Sequence, residues 1–203
     1  MARGVKREDP IMKRSMAVTA YAIVMGFVGT GLAETINWTN TAGGVYSDVA
    51  NWEPGQAPDA DDLAELRANA AYTITLDRPA TNHSLHVYDG QPTIDLAGFD
   101  YRLTNSVSSE AKTVGFWVEK GYLRITNSAP TSAVFGSNDT LHAVLYQPWN
   151  VPKAGKVEFT GPTTVVRLQR IRANAISSAN TVRHELRITG GAKVTTSAGQ
   201  TLT

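Results

Sequence analysis

Tyr101-Arg102-Leu103-Thr104-Asn105, Leu123-Arg124-Ile125-Thr126-Asn127 and Leu186-Arg187-Ile188-Thr189-Gly190 share one grammar: apolar, Arg, apolar, Thr, then a turn residue. The alternation has the strand period of two, which puts the apolar side chains on one face and the polar ones on the other. The copies start at Tyr101, Leu123 and Leu186, so the second interval is close to three times the first. Val144-Leu145-Tyr146 and Val166-Arg167-Leu168 partly fill the places between the second and third copies. Short alternating strands at such a spacing predict a stacked repeat, in which each unit buries its apolar face against its neighbours.

Around this motif, Tyr72-Thr73-Ile74-Thr75-Leu76, Leu85-His86-Val87 and Thr93-Ile94-Asp95-Leu96 also alternate, with turn signals at Asp89-Gly90 and Ala97-Gly98. A second series, Ile94, Val114-Gly115-Phe116, Val134-Phe135, Val157-Glu158-Phe159 and Val194, interleaves with the first. Two tracks imply at least two sheet faces per turn of the chain. The predicted fold is all-β: a right-handed parallel β-helix (β-solenoid) of ~21-residue coils with an N-terminal cap, with a β-sandwich as the alternative. About six coils at the ~4.8 Å strand spacing make a stack of ~30 Å. Arg102, Arg124, Arg167 and Arg187 are expected to line up on its outside. Helical signal is confined to a short turn within Asp61 to Ala70, and Arg172 to Asn180 reads as a loop.

Residues 1–33 read as an export signal. Arg3, Lys6, Arg7, Lys13 and Arg14 form a basic leader, Ala17 to Val28 an apolar run, and Gly31-Leu32-Ala33 a small-residue cleavage site before Glu34. The apolar run is shorter than the ~20 residues that span a bilayer. The expected location is therefore extracellular or on the outer cell surface, with no membrane insertion of the mature segment. The chain carries a formal net charge of +1 and no cysteine. Removing the leader takes away five Lys or Arg against Glu8 and Asp9, leaving a slightly acidic chain without the clustered positive charge that nucleic-acid binding needs. Disulfides and thiolate metal sites are excluded.

Residues 34–70 differ in composition, with Trp38, Gly43-Gly44, Tyr46-Ser47-Asp48, Ala50-Asn51-Trp52, Pro54-Gly55, Pro58 and Asp62. Aromatics set among turn residues predict a capping segment that covers the open end of the stack, and 71–203 is then the repeat region. The series resembles the opening of large exported bacterial repeat proteins, the autotransporter-like passengers and the surface proteins with a C-terminal sorting tag; Tyr46 stands where those carry Trp. The resemblance implies a β-helical exterior protein and no particular activity. The chain is expected to be an N-terminal fragment of a longer array. Asp59, Asp61 and Asp62 offer oxygens but lack the glycine and distal glutamate of a calcium loop, and read as a turn.

No catalytic or metal-binding residues are assigned. His83, His86, His142 and His184 have no ligand spacing, and no nucleophile elbow, phosphate loop or dinucleotide fingerprint occurs. No cofactor is expected. The proline-bounded excursion Gln147-Pro148-Trp149-Asn150-Val151-Pro152 is where a stack would present a ligand contact, so Tyr146 and Trp149, with Arg102 and Arg124 of the arginine ladder, are the candidate ligand-binding residues. The predicted function is that of a secreted or cell-surface structural or adhesive passenger, with extracellular glycans or cell-surface components as partners. The alternatives are the N-terminal part of a carbohydrate-active enzyme, polysaccharide lyase or glycosidase in type, and a carbohydrate-binding module.

Overall fold

The structure, a computed structural model, describes residues 34–104, 115–136, 142–146, 155–168, 170–174, 185–196 and 201–202. In chain order the strands are β1 (Thr35–Trp38), β2 (Gly44–Val45), β3 (Trp52–Glu53), β4 (Leu63–Leu66), β5 (Ala71–Thr75), β6 (Ala80–Asn82), β7 (Ser84–Val87), β8 (Gln91–Asp95) and β9 (Tyr101–Leu103). They continue as β10 (Phe116–Val118), β11 (Gly121–Thr126), β12 (Ala133–Gly136), β13 (His142–Tyr146), β14 (Gly155–Thr160), β15 (Thr164–Leu168), β16 (Arg170–Asn174), β17 (Glu185–Thr189), β18 (Lys193–Thr196) and β19 (Thr201–Leu202). A 3-10 turn, Val49–Asn51, opens where the Asp48 carboxylate accepts the Ala50 N–H.

The protein is all-β, and the described strands form three open sheets. The first is ordered β16-β13-β10-β7-β4-β1-β3, the second β17-β14-β11-β8-β5-β2 and the third β19-β18-β15-β12-β9-β6. From β4 to β18 consecutive strands visit the three sheets in turn, and each strand from β4 to β15 pairs in parallel with the strand three further along. Antiparallel pairing occurs between β1 and β3 and between β18 and β19.

The register corrects the even ~21-residue period expected of a regular repeat. The step from Ile74 to its partner Ile94 is close to that period, but the steps from Ile94 to Ile125 and from Ile125 to Phe159 are far longer. Leu123 reaches Leu186 through Val157, in two long unequal steps rather than three short equal ones. The interval from Tyr101 to Leu123 joins different sheets, since Tyr101 lies on β9 of the third and Leu123 on β11 of the second. Strand pairing constrains only the strands, and lengthening the connection between them raises the closure cost slowly, so connections of unequal length are compatible with the same parallel pairing.

The arginines are likewise redistributed. Arg102 and Arg167 share a column of the third sheet with Gly136 between them, while Arg124 and Arg187 share one of the second sheet with Glu158 between them. Two further expectations change. Residues 63–66 form β4 rather than a helical turn, held between β1 and β7, and the stretch from Arg172 to Asn174 continues strand β16.

Burial follows the alternation. Ile74, Ile94, Ile125 and Phe159 form one inward column, and Tyr101, Phe135, Val166 and Val194 another, all at most 2% exposed. The sheets meet through aromatic side chains: Phe135 of the third lies 5.6 Å from Phe116 of the first and 6.2 Å from Phe159 of the second. Each such side chain contributes about 1.5–3 kcal/mol by leaving water. Residues 34–70 supply β1–β4 to these same sheets and pack by aromatic contact. Trp38 meets Trp52 edge-on at 4.9 Å and stacks on Tyr72, and Tyr46 meets Tyr101 at 5.9 Å. Both tryptophans are buried, so neither is a surface platform for a sugar.

Two connections from the first sheet to the second, β7 to β8 and β10 to β11, require glycine. Gly90 has φ +79°, and a Cβ there would sit 2.1 Å from the Ala68 carbonyl oxygen; Gly121, at φ +109°, approaches the Gly90 carbonyl in the same way. The two stack at one corner, and both left-handed backbones are accessible to glycine without the Cβ clash.

Candidate functional site

Two columns of outward positions on the second sheet bear on the site. One contains Ala71, Gln91, Tyr122, Lys156 and Glu185, the other Thr73, Thr93, Arg124, Glu158 and Arg187. Over β5, β8 and β11 these side chains border a shallow groove of about 260 Å3, open to solvent and lined by Ala71, Tyr72, Thr73, Gln91, Thr93, Tyr122 and Arg124. Its far wall is a fixed polar group. Arg124 Nε donates to Glu158 Oε2 at 2.9 Å and Nη2 to the Tyr122 hydroxyl at 3.3 Å; that hydroxyl donates to Glu158, and Thr189 Oγ1 donates to the other carboxylate oxygen at 2.8 Å. The guanidinium also lies 5.4 Å from the Tyr122 ring centroid.

These contacts set the ionisation of the wall. The Tyr122 hydrogen bond, followed by those of Arg124 and Thr189, outweighs desolvation and holds the Glu158 carboxyl below its ordinary value. Desolvation and then the same carboxylate push the Tyr122 phenol up. The wall therefore presents a carboxylate, a guanidinium and a protonated phenol at neutral pH, with the two charges already opposed.

A second polar cluster lies on the first sheet, where Glu65, His86 and Trp117 are register partners on β4, β7 and β10. His86 Nδ1 is 3.5 Å from Glu65 Oε1 and Nε2 is 3.8 Å from Glu119 Oε2. The imidazole stacks on Trp117 at 3.8 Å and tilts against Tyr88 at 4.1 Å. Arg67 bonds Glu65 and covers the Tyr88 ring at 4.2 Å. Burial pushes the Glu65 carboxyl up, but hydrogen bonds to His86 and Arg67 together pull it below its ordinary value. The side chains of Glu65, His86 and Glu119 are 4–6% exposed, so the cluster ties three strands together and offers no opening to a substrate.

The four candidate residues do not share one site. Arg124 belongs to the groove. Arg102 is exposed on the third sheet, 3.3 Å from Asp100. Tyr146 ends β13 of the first sheet opposite Asn174, and Trp149 lies outside the described residues, as does the 147–152 excursion. The other groove residues, Tyr122 among them, are missed by the repeat motif because they lie outside it. The signal that points to them is their parity: most occupy outward positions of strands whose inward positions are apolar. The Glu65–His86 pairing has no sequence signal, since it depends on which strands become neighbours. Among the described residues no group of three or more His, Asp or Glu side chains is arranged to hold a metal, and no helix is long and apolar enough to cross a membrane. No protein-family model, curated protein or solved structure matches the chain.

Proposed function

We propose that this chain is part of an exported, cell-surface structural or adhesive protein, a right-handed β-solenoid that presents side chains and loops from a stiff stack. The observation that supports it most directly is the pairing of each strand with the strand three further along, which builds continuous columns of outward side chains. A parallel crossover within one sheet is right-handed in about 98% of cases, which favours that hand for the winding. The basic leader and apolar run at residues 1–33, and the likeness of 38–62 to the opening of exported repeat proteins, support export. A surface of this kind binds through many weak contacts distributed along its length.

Fusing the full chain at its C-terminus to alkaline phosphatase, which is active only outside the cytoplasm, tests this in bacterial cells. Phosphatase activity together with a mature N-terminus at Glu34 is the expected result. An inactive fusion that retains Met1 in the cytoplasm overturns export and the passenger role. The groove favours a carbohydrate-binding role as the second reading, since it is a concave polar surface on an exposed sheet face.

A further inference from the structure

We infer that the groove over β5, β8 and β11 is a binding site for an uncharged oligosaccharide, laid across the strands with one sugar face against the Tyr122 ring. The inference deepens the adhesive reading by naming the ligand class and the place where it sits.

Three features select the ligand. First, the outward positions that border the groove on β5 and β8 are neutral: Ala71 aside, Thr73, Gln91 and Thr93 supply hydroxyls and an amide that both donate and accept, as a polyol requires. Second, the one cation among the lining residues is already matched. Arg124 has Nε on the Glu158 carboxylate and Nη2 on the Tyr122 hydroxyl, so an anionic sugar would meet a guanidinium whose charge is offset and a carboxylate that repels it. Third, successive outward side chains step by the ~4.8 Å strand spacing, close to the length of one pyranose unit, so a chain running across the strands sets successive units over successive side chains, the hydroxyls of Thr73 and Thr93 among them.

A peptide ligand fits poorly. β8 and β11 are paired on both sides and β2 covers β5 at Ile74 and Thr75, which leaves only the short stretch Ala71–Thr73 as backbone edge for strand addition. The outward lining side chains are polar apart from Ala71 and the Tyr122 ring, since the Tyr72 side chain is buried against Trp38, so the groove offers no apolar pocket for a side-chain anchor. A tyrosine ring beside hydroxyl and amide groups instead suits the apolar face and polar rim of a sugar.

Calorimetric titration of the purified full chain with maltohexaose, cellohexaose, xylohexaose and mannohexaose tests the assignment, with hexagalacturonate as the anionic comparator. At least one neutral hexasaccharide is expected to bind with Kd below about 1 mM, and its Kd to change less than about twofold between about 50 and 500 mM NaCl, because no net charge is neutralised. Tyr122→Ala and, independently, Thr73→Arg, an exposed position where the longer side chain fills the groove, are each expected to weaken binding at least ~10-fold, with the melting temperature recorded for both. Lys193→Ala on the third sheet is expected to leave it unchanged. The inference is overturned if no neutral probe binds, if hexagalacturonate binds more tightly than all of them, or if a folded Thr73→Arg protein binds like the parent. These outcomes are independent of the phosphatase fusion, so loss of export and loss of binding are read separately.

Discussion

Glu158 shows how one side chain carries several tasks. It lies between Arg124 and Arg187 in an outward column and accepts hydrogen bonds from Tyr122, Arg124 and Thr189. Its folded carboxyl is held below the ordinary value of 4.5, as is that of Glu65. A depressed folded pKa contributes stability that is fully present above the unfolded value and is lost as the pH falls through the folded one. The melting temperature is therefore expected to hold from about pH 7 to 5 and to fall below about pH 4.5, and Glu158→Gln is expected to flatten that fall; an unchanged acid limb in the variant would show that other carboxylates govern it. In the interior, Phe135 is fully buried against Tyr101, Phe116 and Phe159. Phe135→Ala is expected to remove about 3–5 kcal/mol of stability in urea denaturation, through lost burial and the cavity left where the sheets meet.

At the level of elements, the corners carry as much specification as the strands. Gly90 and Gly121 combine left-handed backbone with a carbonyl oxygen at a distance no Cβ tolerates, whereas Gly55 has φ +99° with nothing within 4 Å. Gly55→Ala is expected to cost about 1–3 kcal/mol, the conformational term alone. Gly90→Ala adds a collision with backbone and is expected to cost clearly more in the same denaturation series. Equal losses at the two sites would mean that the corner yields without effort. The strands around these corners are legible from the motif because alternation is a local property. Residues 63–66 are not, because the spacing among Leu63, Ala64 and Leu66 suits a helix, and pairing with β1 and β7 overrides that weak preference.

For the molecule as a whole, stability rests on strands paired on both sides. β8, β11 and β14 are interior to the second sheet, and β17 and β2 are its edges. Native-state hydrogen exchange is expected to be slowest in β8, β11 and β14 and fastest in β2 and β17; uniform protection across the sheet would contradict a stack in which each strand leans on its immediate neighbours. The amino-acid sequence was sufficient for the all-β class, for the inward and outward parity of the alternating strands and for the turns at Asp89-Gly90 and Ala97-Gly98, because each depends on a few adjacent residues. Folding alone settled that the described strands divide among three sheets, that the interval is uneven, and that Arg102 and Arg124 lie on different sheets. It also brought Tyr122 to Glu158 and His86 to Glu65, pairs drawn from separate strands and well apart along the chain. The length of a connection leaves no periodic trace, and the identity of a strand's neighbour is fixed only when the shared interior is packed.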